Sequence, residues 1–257
     1  MGLDLYAGPL WRLYAGDIER PSQRLGKEIG LKVDVAYAPG AGPLSKEKAH
    51  QAVADLRPLI DRQAEKMWGS TRDISNWNED YEGYFSEQLR TEGIQSIVLM
   101  AAYDHRRDLT RPTRLPTSID SDPAVSEAWE RNYYVGPMAV LEAQLTLPSS
   151  ENFLTAVEEA SGSRSYVTST SNLAMVLEQL RVSIWNNQVD VDAWFSRGLV
   201  PADGHVSQLS ADGRTIERLP VEPVEDQVKH DAEYAFAVFS KALAFAEAHR
   251  VPIRHDA

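Results

Sequence analysis

The longest unbroken apolar run in the chain, Ile97-Val98-Leu99-Met100-Ala101-Ala102, stops abruptly at Tyr103-Asp104-His105. It is far shorter than the roughly 20 residues needed to cross a bilayer, so no membrane role is expected. It still demands cover on every side. Taken with Ile94 in front of it, the stretch 94–103 is apolar on both faces after Ser96 and predicts a central, doubly covered β-strand.

Other segments carry clearer periods. Leu31, Val33, Val35 and Tyr37 share one face of a predicted strand, and so do Ala139, Leu141, Ala143, Leu145 and Leu147. The opening Leu3-Asp4-Leu5-Tyr6 predicts a strand ended or bulged at Gly8-Pro9. Ser45 suits the N-cap of a helix from Lys46 to about Trp68, which Pro58 should kink or split. Ser171 is placed as the cap of a second helix, with Leu173, Val176, Leu177, Leu180 and Ile184 at helical spacing. From Asp226 to His249 a stripe through Val228, Ala232, Ala235, Phe236, Phe239, Leu243 and Ala246 predicts a long C-terminal helix. Val251-Pro252-Ile253-Arg254-His255-Asp256 should then return as an edge strand, and Asp212-Gly213 supplies hairpin turn chemistry.

Strands and helices intermix along all 257 residues, with no repeat and no clear linker. The expected fold is a single globular domain, 1–257, of the α+β (or α/β) class: a mixed β-sheet packed by several helices.

There is no cysteine, which removes disulfides, thiol nucleophiles and thiolate metal sites and suits a cytoplasmic protein. The N-terminus shows no basic-then-apolar leader, and Tyr6 stands where a myristoylation signal wants Ser or Thr. With 38 acidic against 26 basic residues the formal charge is −12. Such a field repels nucleic acid and anionic membrane and attracts cationic partners.

Complete catalytic motifs are missing. Ser45-Lys46-Glu47-Lys48 matches the S-x-x-K of acylating serine enzymes, but no K-T-G occurs and Thr170-Ser171-Asn172 lacks the leading serine; a helix cap followed by charge explains it better. Asp104-His105-Arg106-Arg107-Asp108-Leu109 has one residue too many for a kinase catalytic loop, and no glycine-rich phosphate loop accompanies it. The pairs Asp120/Asp122 and Asp190/Asp192 read as helix caps rather than magnesium ligands. No two of the six histidines stand at i, i+4 on one helix, so neither a metal nor a cofactor is expected.

Two stretches could carry function. A strand ending at Tyr103 would place Asp104 and His105 where open sheets hold ligands, with Arg106, Arg107, Arg111 and Arg114 following. On that reading His105 acts as acid/base, Asp104 or Asp108 orients it, and Arg106 or Arg107 clamps an anion. The bland alternative has these arginines pinning the loop to the protein's own carboxylates. The second stretch, 73–92, interleaves Asp73, Glu79, Asp80, Glu82, Glu87 and Glu92 with Trp77, Tyr81, Tyr84 and Phe85. Aromatic area among steering charges suits a basic protein partner, with Trp77, Asp80 and Tyr81 as contacts; an amphipathic helix with buried rings is the structural alternative.

The N-terminal Met1-Gly2-Leu3-Asp4-Leu5-Tyr6-Ala7-Gly8-Pro9-Leu10-Trp11-Arg12-Leu13-Tyr14, with the closing apolar helix and short strand, resembles a group of uncharacterised bacterial proteins opening M-G-L-D-x-Y-x-G-x-L-x-R-x-Y. Leu13-Tyr14 departs from the aromatic pair expected after Arg12. The resemblance implies no activity and no functional residues; small acidic proteins of this kind include immunity-like proteins that bind a cationic toxin. The leading expectation is therefore a non-catalytic, acidic binding protein with a basic partner. The alternative is an enzyme or small anionic-ligand binder with its pocket beside Asp104-His105.

Overall fold

The computed structural model describes residues 4–28, 30, 32, 42–69, 74–132, 136–158, 164–197, 205–209, 216–220 and 222–256. The strands are β1 (Asp4–Ala7), β2 (Phe85–Gln88), β3 (Leu145–Leu147), β4 (Leu154–Glu158), β5 (Arg164–Ser169), β6 (His205–Leu209), β7 (Ile216–Pro220) and β8 (Ile253–Asp256). The helices are α1 (Leu10–Tyr14), α2 (Pro21–Glu28), α3 (Lys46–Trp68), α4 (Thr91–His105), α5 (Pro123–Asn132), α6 (Pro137–Leu141), α7 (Thr170–Ser183), α8 (Val191–Arg197) and α9 (Gln227–His249).

Six strands form one sheet in the order β2-β1-β8-β3-β5-β4, and β6 pairs with β7 apart from it. Only β3 and β5 run parallel; the other neighbours are antiparallel, so the sheet is mixed and the fold α+β. Alternation along the strands divides two cores. Leu5, Ala7 and Ile253 face the core shared with α4, α7 and α9, while Leu145, Leu147 and Val167 face the one shared with α1 and α3.

The stretch 94–103 is not a strand. It lies inside α4, where Ser96 and Ile97 through Tyr103 are all buried. A helix apolar all round is one covered on all sides, and α4 is enclosed by α5, α6, α7 and α9. Gly93 packs against α9, where a built Cβ would stand at an ordinary contact distance of 3.5 Å from the Ala235 methyl.

Other expectations move for local reasons. Pro137 opens α6, so only Leu145–Leu147 of the alternating segment 138–147 is strand. Ser169, not Ser171, caps α7, its hydroxyl accepting Asn172 N–H at 3.0 Å. Instead of lying at the edge, β8 sits between β1 and β3. Pro58 leaves α3 continuous; Pro58 and Ala54 are both exposed, so the carbonyl deprived of its helical donor faces water. The strand over Leu31 to Tyr37 and the Asp212-Gly213 turn lie outside the described residues, although β6 and β7 do pair antiparallel as a hairpin would.

The opening pattern has a packing role at each described position. Tyr6 donates its buried hydroxyl to Pro9 O at 2.8 Å, Leu10 is fully buried, and the Arg12 guanidinium bonds Asp17 and the Glu82 carbonyl while lying 5.2 Å from the Tyr84 ring centre.

Candidate functional site

The first candidate lies at the C-terminal end of α4. His105 is exposed and lines a cleft of about 520 Å³ with Ala102, Arg106, Glu127, Trp129 and Met138. The orienting carboxylates expected for it point elsewhere. Asp104 accepts from Arg107 at 2.6 Å and from Gln179 at 3.1 Å. Burial opposes its ionisation, but these bonds prevail and hold its pKa below the usual carboxylate range. Asp108 takes both prongs of Arg106, at 2.9 and 2.8 Å, and is held down at about 2. His105 itself makes no side-chain hydrogen bond among the described residues.

The loop arginines are spent in the same way. Arg106 also pairs with Glu127, whose second oxygen takes Arg131 at 2.5 Å, and Arg111 forks onto Asp226, the N-cap of α9. Thus Arg106 and Arg107, expected as an anion clamp, are tied to the protein's own carboxylates. The aspartate pairs act structurally too. Asp122 accepts the Ala124 and Val125 N–H groups, Asp190 that of Ala193, and Asp192 pairs with Lys241. Among the described residues no cluster of three or more His, Cys, Asp or Glu side chains suits a metal, and no helix is long and apolar enough to cross a membrane.

The second candidate is a polar cleft of about 610 Å³ between α3 and the segment 76–80, lined also by Arg250. Here the expectation for Trp77 fails: only 2 % of it is exposed, so it is a core residue and not a docking ring. The cause is Glu79. Its carboxylate turns inward to accept Leu10 N–H (3.0 Å), Trp11 N–H (3.1 Å) and the Trp77 indole N–H. One acidic side chain thereby caps α1 and draws the tryptophan in with it.

Segment 76–80 is pinned from both sides. Arg57 donates to Trp77 O at 2.9 Å with its guanidinium 4.7 Å from the ring centre, and Arg250 donates to Asn76 O at 3.4 Å. Arg250 is the left-handed C-cap of α9 (φ 54°), and its carbonyl accepts Asn78 N–H at 2.7 Å. Asn78 in turn accepts from Asp80 N–H at 3.0 Å. Just beyond, Tyr81 stacks on His249 while Asp80 and Glu82 stay exposed. Of the expected contacts, Trp77 and Asp80 meet at this cleft, Tyr81 follows it in sequence, His105 and Arg106 line the other, and Arg107 lines neither. Arg57, Arg250 and His50 carry no joint signal in the sequence, because residues so distant along the chain leave no spacing to read.

Fold and clefts together define an α+β protein with one surface cleft beside His105, another between α3 and segment 76–80 and, among the described residues, no assembled nucleophile–base pair. Comparison with known proteins adds nothing to that class: no family model matches the chain, and no curated protein and no solved structure matches it.

Proposed function

We propose that the protein is a non-catalytic binding protein that engages a basic protein partner through an acidic surface centred on Asp80, Tyr81 and Glu82. The observation that supports this reading is the way Tyr81 is held. Its ring lies on His249 and meets Phe245 edge-on at 5.8 Å, fixing the backbone between two exposed carboxylates. Neither Asp80 nor Glu82 forms an ion pair among the described residues. A surface ordered before binding loses less entropy on docking. The −12 charge steers cations towards it.

The test is affinity capture with the wild type and an Asp80→Asn/Glu82→Gln double variant, at low salt and at about 0.5 M salt, where the Debye length is only a few ångströms. Retention of basic proteins, lost in the variant and at high salt, is expected. Neutral or acidic partners, or equal retention by the variant, would overturn the reading.

A second reading rests on His105 lining the other cleft. Acid/base work there would require the substrate to supply the ring's hydrogen-bond partner, since Asp104 and Asp108 are committed elsewhere. His105→Ala should abolish any turnover found; turnover that persists in that variant removes this reading.

A further inference from the structure

The polar cleft between α3 and segment 76–80 has a chemistry different from the acidic surface beside it, and the geometry points to a binding site there for a phosphate monoester on a small polar molecule. Two guanidinium groups line this cleft, Arg57 and Arg250, and neither forms an ion pair among the described residues. That is unusual company on a chain with an excess of twelve acidic charges. Elsewhere among the described residues Arg12, Arg20, Arg24, Arg106, Arg107, Arg111, Arg131 and Arg181 hold carboxylates, while Arg62 and Arg90, like these two, do not.

The two cations are also placed as a pair. Arg57 and Arg250 donate to the carbonyls of consecutive residues, Trp77 and Asn76. Both guanidinium groups are thus tethered to the same short segment and both residues line the one cleft, so a ligand that fills it meets both cations. Each uses one N–H on a carbonyl and keeps further donors for a ligand. Arginine forks match phosphate oxygens, and a dianion balances two such charges.

The rest of the cleft favours a polar body on that phosphate. His50, Asn76, Asn78 and Asp80 supply polar edges, and the Trp77 ring is covered by Arg57, which leaves no open aromatic face for stacking. A volume of about 610 Å³ exceeds what a bare phosphate fills, which leaves room for a hydroxylated carbon skeleton. Glu79 and Asp80 in the lining both oppose the anion, since the bonds of Glu79 to two backbone N–H groups and an indole stabilise its charge without cancelling it. Asp80, exposed and without an ion pair among the described residues, is the one that can be neutralised without disturbing that packing. That gives the proposal a signature: neutralising Asp80 should tighten phosphate binding while weakening capture of a basic protein, so the two readings stand or fall separately.

Isothermal titration of the full chain with inorganic phosphate and with a hexose phosphate, at about pH 7.5 where the monoester is mostly dianionic, tests this against chloride at matched ionic strength. Saturable binding is expected, tighter for the hexose phosphate, weakened about tenfold in Arg250→Gln and in Arg57→Gln, and strengthened in Asp80→Asn. Arg57 packs on Trp77 and its loss could disturb the fold, so exposed Arg250 carries the test, with circular dichroism confirming that the variant is folded. No saturable binding, unchanged affinity in folded Arg250→Gln, or equal binding of succinate would overturn the proposal.

Discussion

Gly8 lies directly under the phenol of Tyr6: a Cβ built on the glycine would fall 2.5 Å from the hydroxyl oxygen and 2.8 Å from Cζ. The ring cannot swing away freely, because its hydroxyl donates to Pro9 O at 2.8 Å and the side chain is fully buried. Gly8→Ala should therefore destabilise by about 1–3 kcal/mol, the usual cost of overpacking. Removing the hydroxyl as well, in Gly8→Ala/Tyr6→Phe, should restore little, since the Tyr84 Cβ also stands 2.8 Å away. Urea midpoints of the three proteins decide; full rescue by the phenylalanine would show that the hydroxyl alone sets the constraint.

Glu79 holds the next junction. Its carboxylate serves two backbone N–H groups of α1 and the Trp77 indole at once. Gln has one acceptor oxygen and would set an amide N–H against donors, so Glu79→Gln should cost about 2 kcal/mol, in the range for hydrogen bonds to charged groups. Thermal melts should show the loss, and a variant melting with the wild type would mean that water replaces the carboxylate.

Tyr81 separates packing from presentation. Its hydroxyl lies 3.1 Å from His249 Nε2, and the two ring centres are 4.1 Å apart. Tyr81→Phe keeps the stack and should lose only about 1 kcal/mol of stability, with partner capture retained. Tyr81→Ala removes the stack, frees Asp80 and Glu82, and should weaken capture more than Phe does. Equal capture by the two variants would detach Tyr81 from the binding surface.

How much of this could be read from the chain depends on whether the signal was local. Helix α3 is legible at its start because Ser45 caps it, and α9 is legible through its stripe and Asp226. The mixed sheet with a long C-terminal helix followed from those pieces. The run Ile97 to Ala102 reads as a strand yet folds as a helix because a segment apolar on every side has no period, and an enclosed helix and an enclosed strand then look alike. Trp77 misled for a different reason. Its acidic neighbours suggested a surface, yet Glu79 turns inward to cap a helix far away in sequence. The cleft had no sequence signature at all, since it needs the left-handed turn at Arg250 to bring the end of α9 against residues 76–78.

The last prediction concerns pH. Glu142 follows α6, where burial, aided by the nearby charge of Asp120, raises its carboxyl from an ordinary 4.5 to about 7. Below pH 4.5 the group is protonated in both folded and unfolded chains and contributes nothing to the difference. As pH rises from there, the unfolded carboxyl ionises while the folded one stays neutral, so stability falls until about pH 7 and then levels off. At about 1.4 kcal/mol for each pKa unit, the full loss is about 3 kcal/mol. Glu142→Gln cannot ionise and should match the wild type near the acid end, then gain on it steadily through that window. Urea unfolding of both proteins across the range measures the gap directly. Parallel curves would mean that the carboxyl is hydrated and ionises as freely in the folded chain as in the unfolded one.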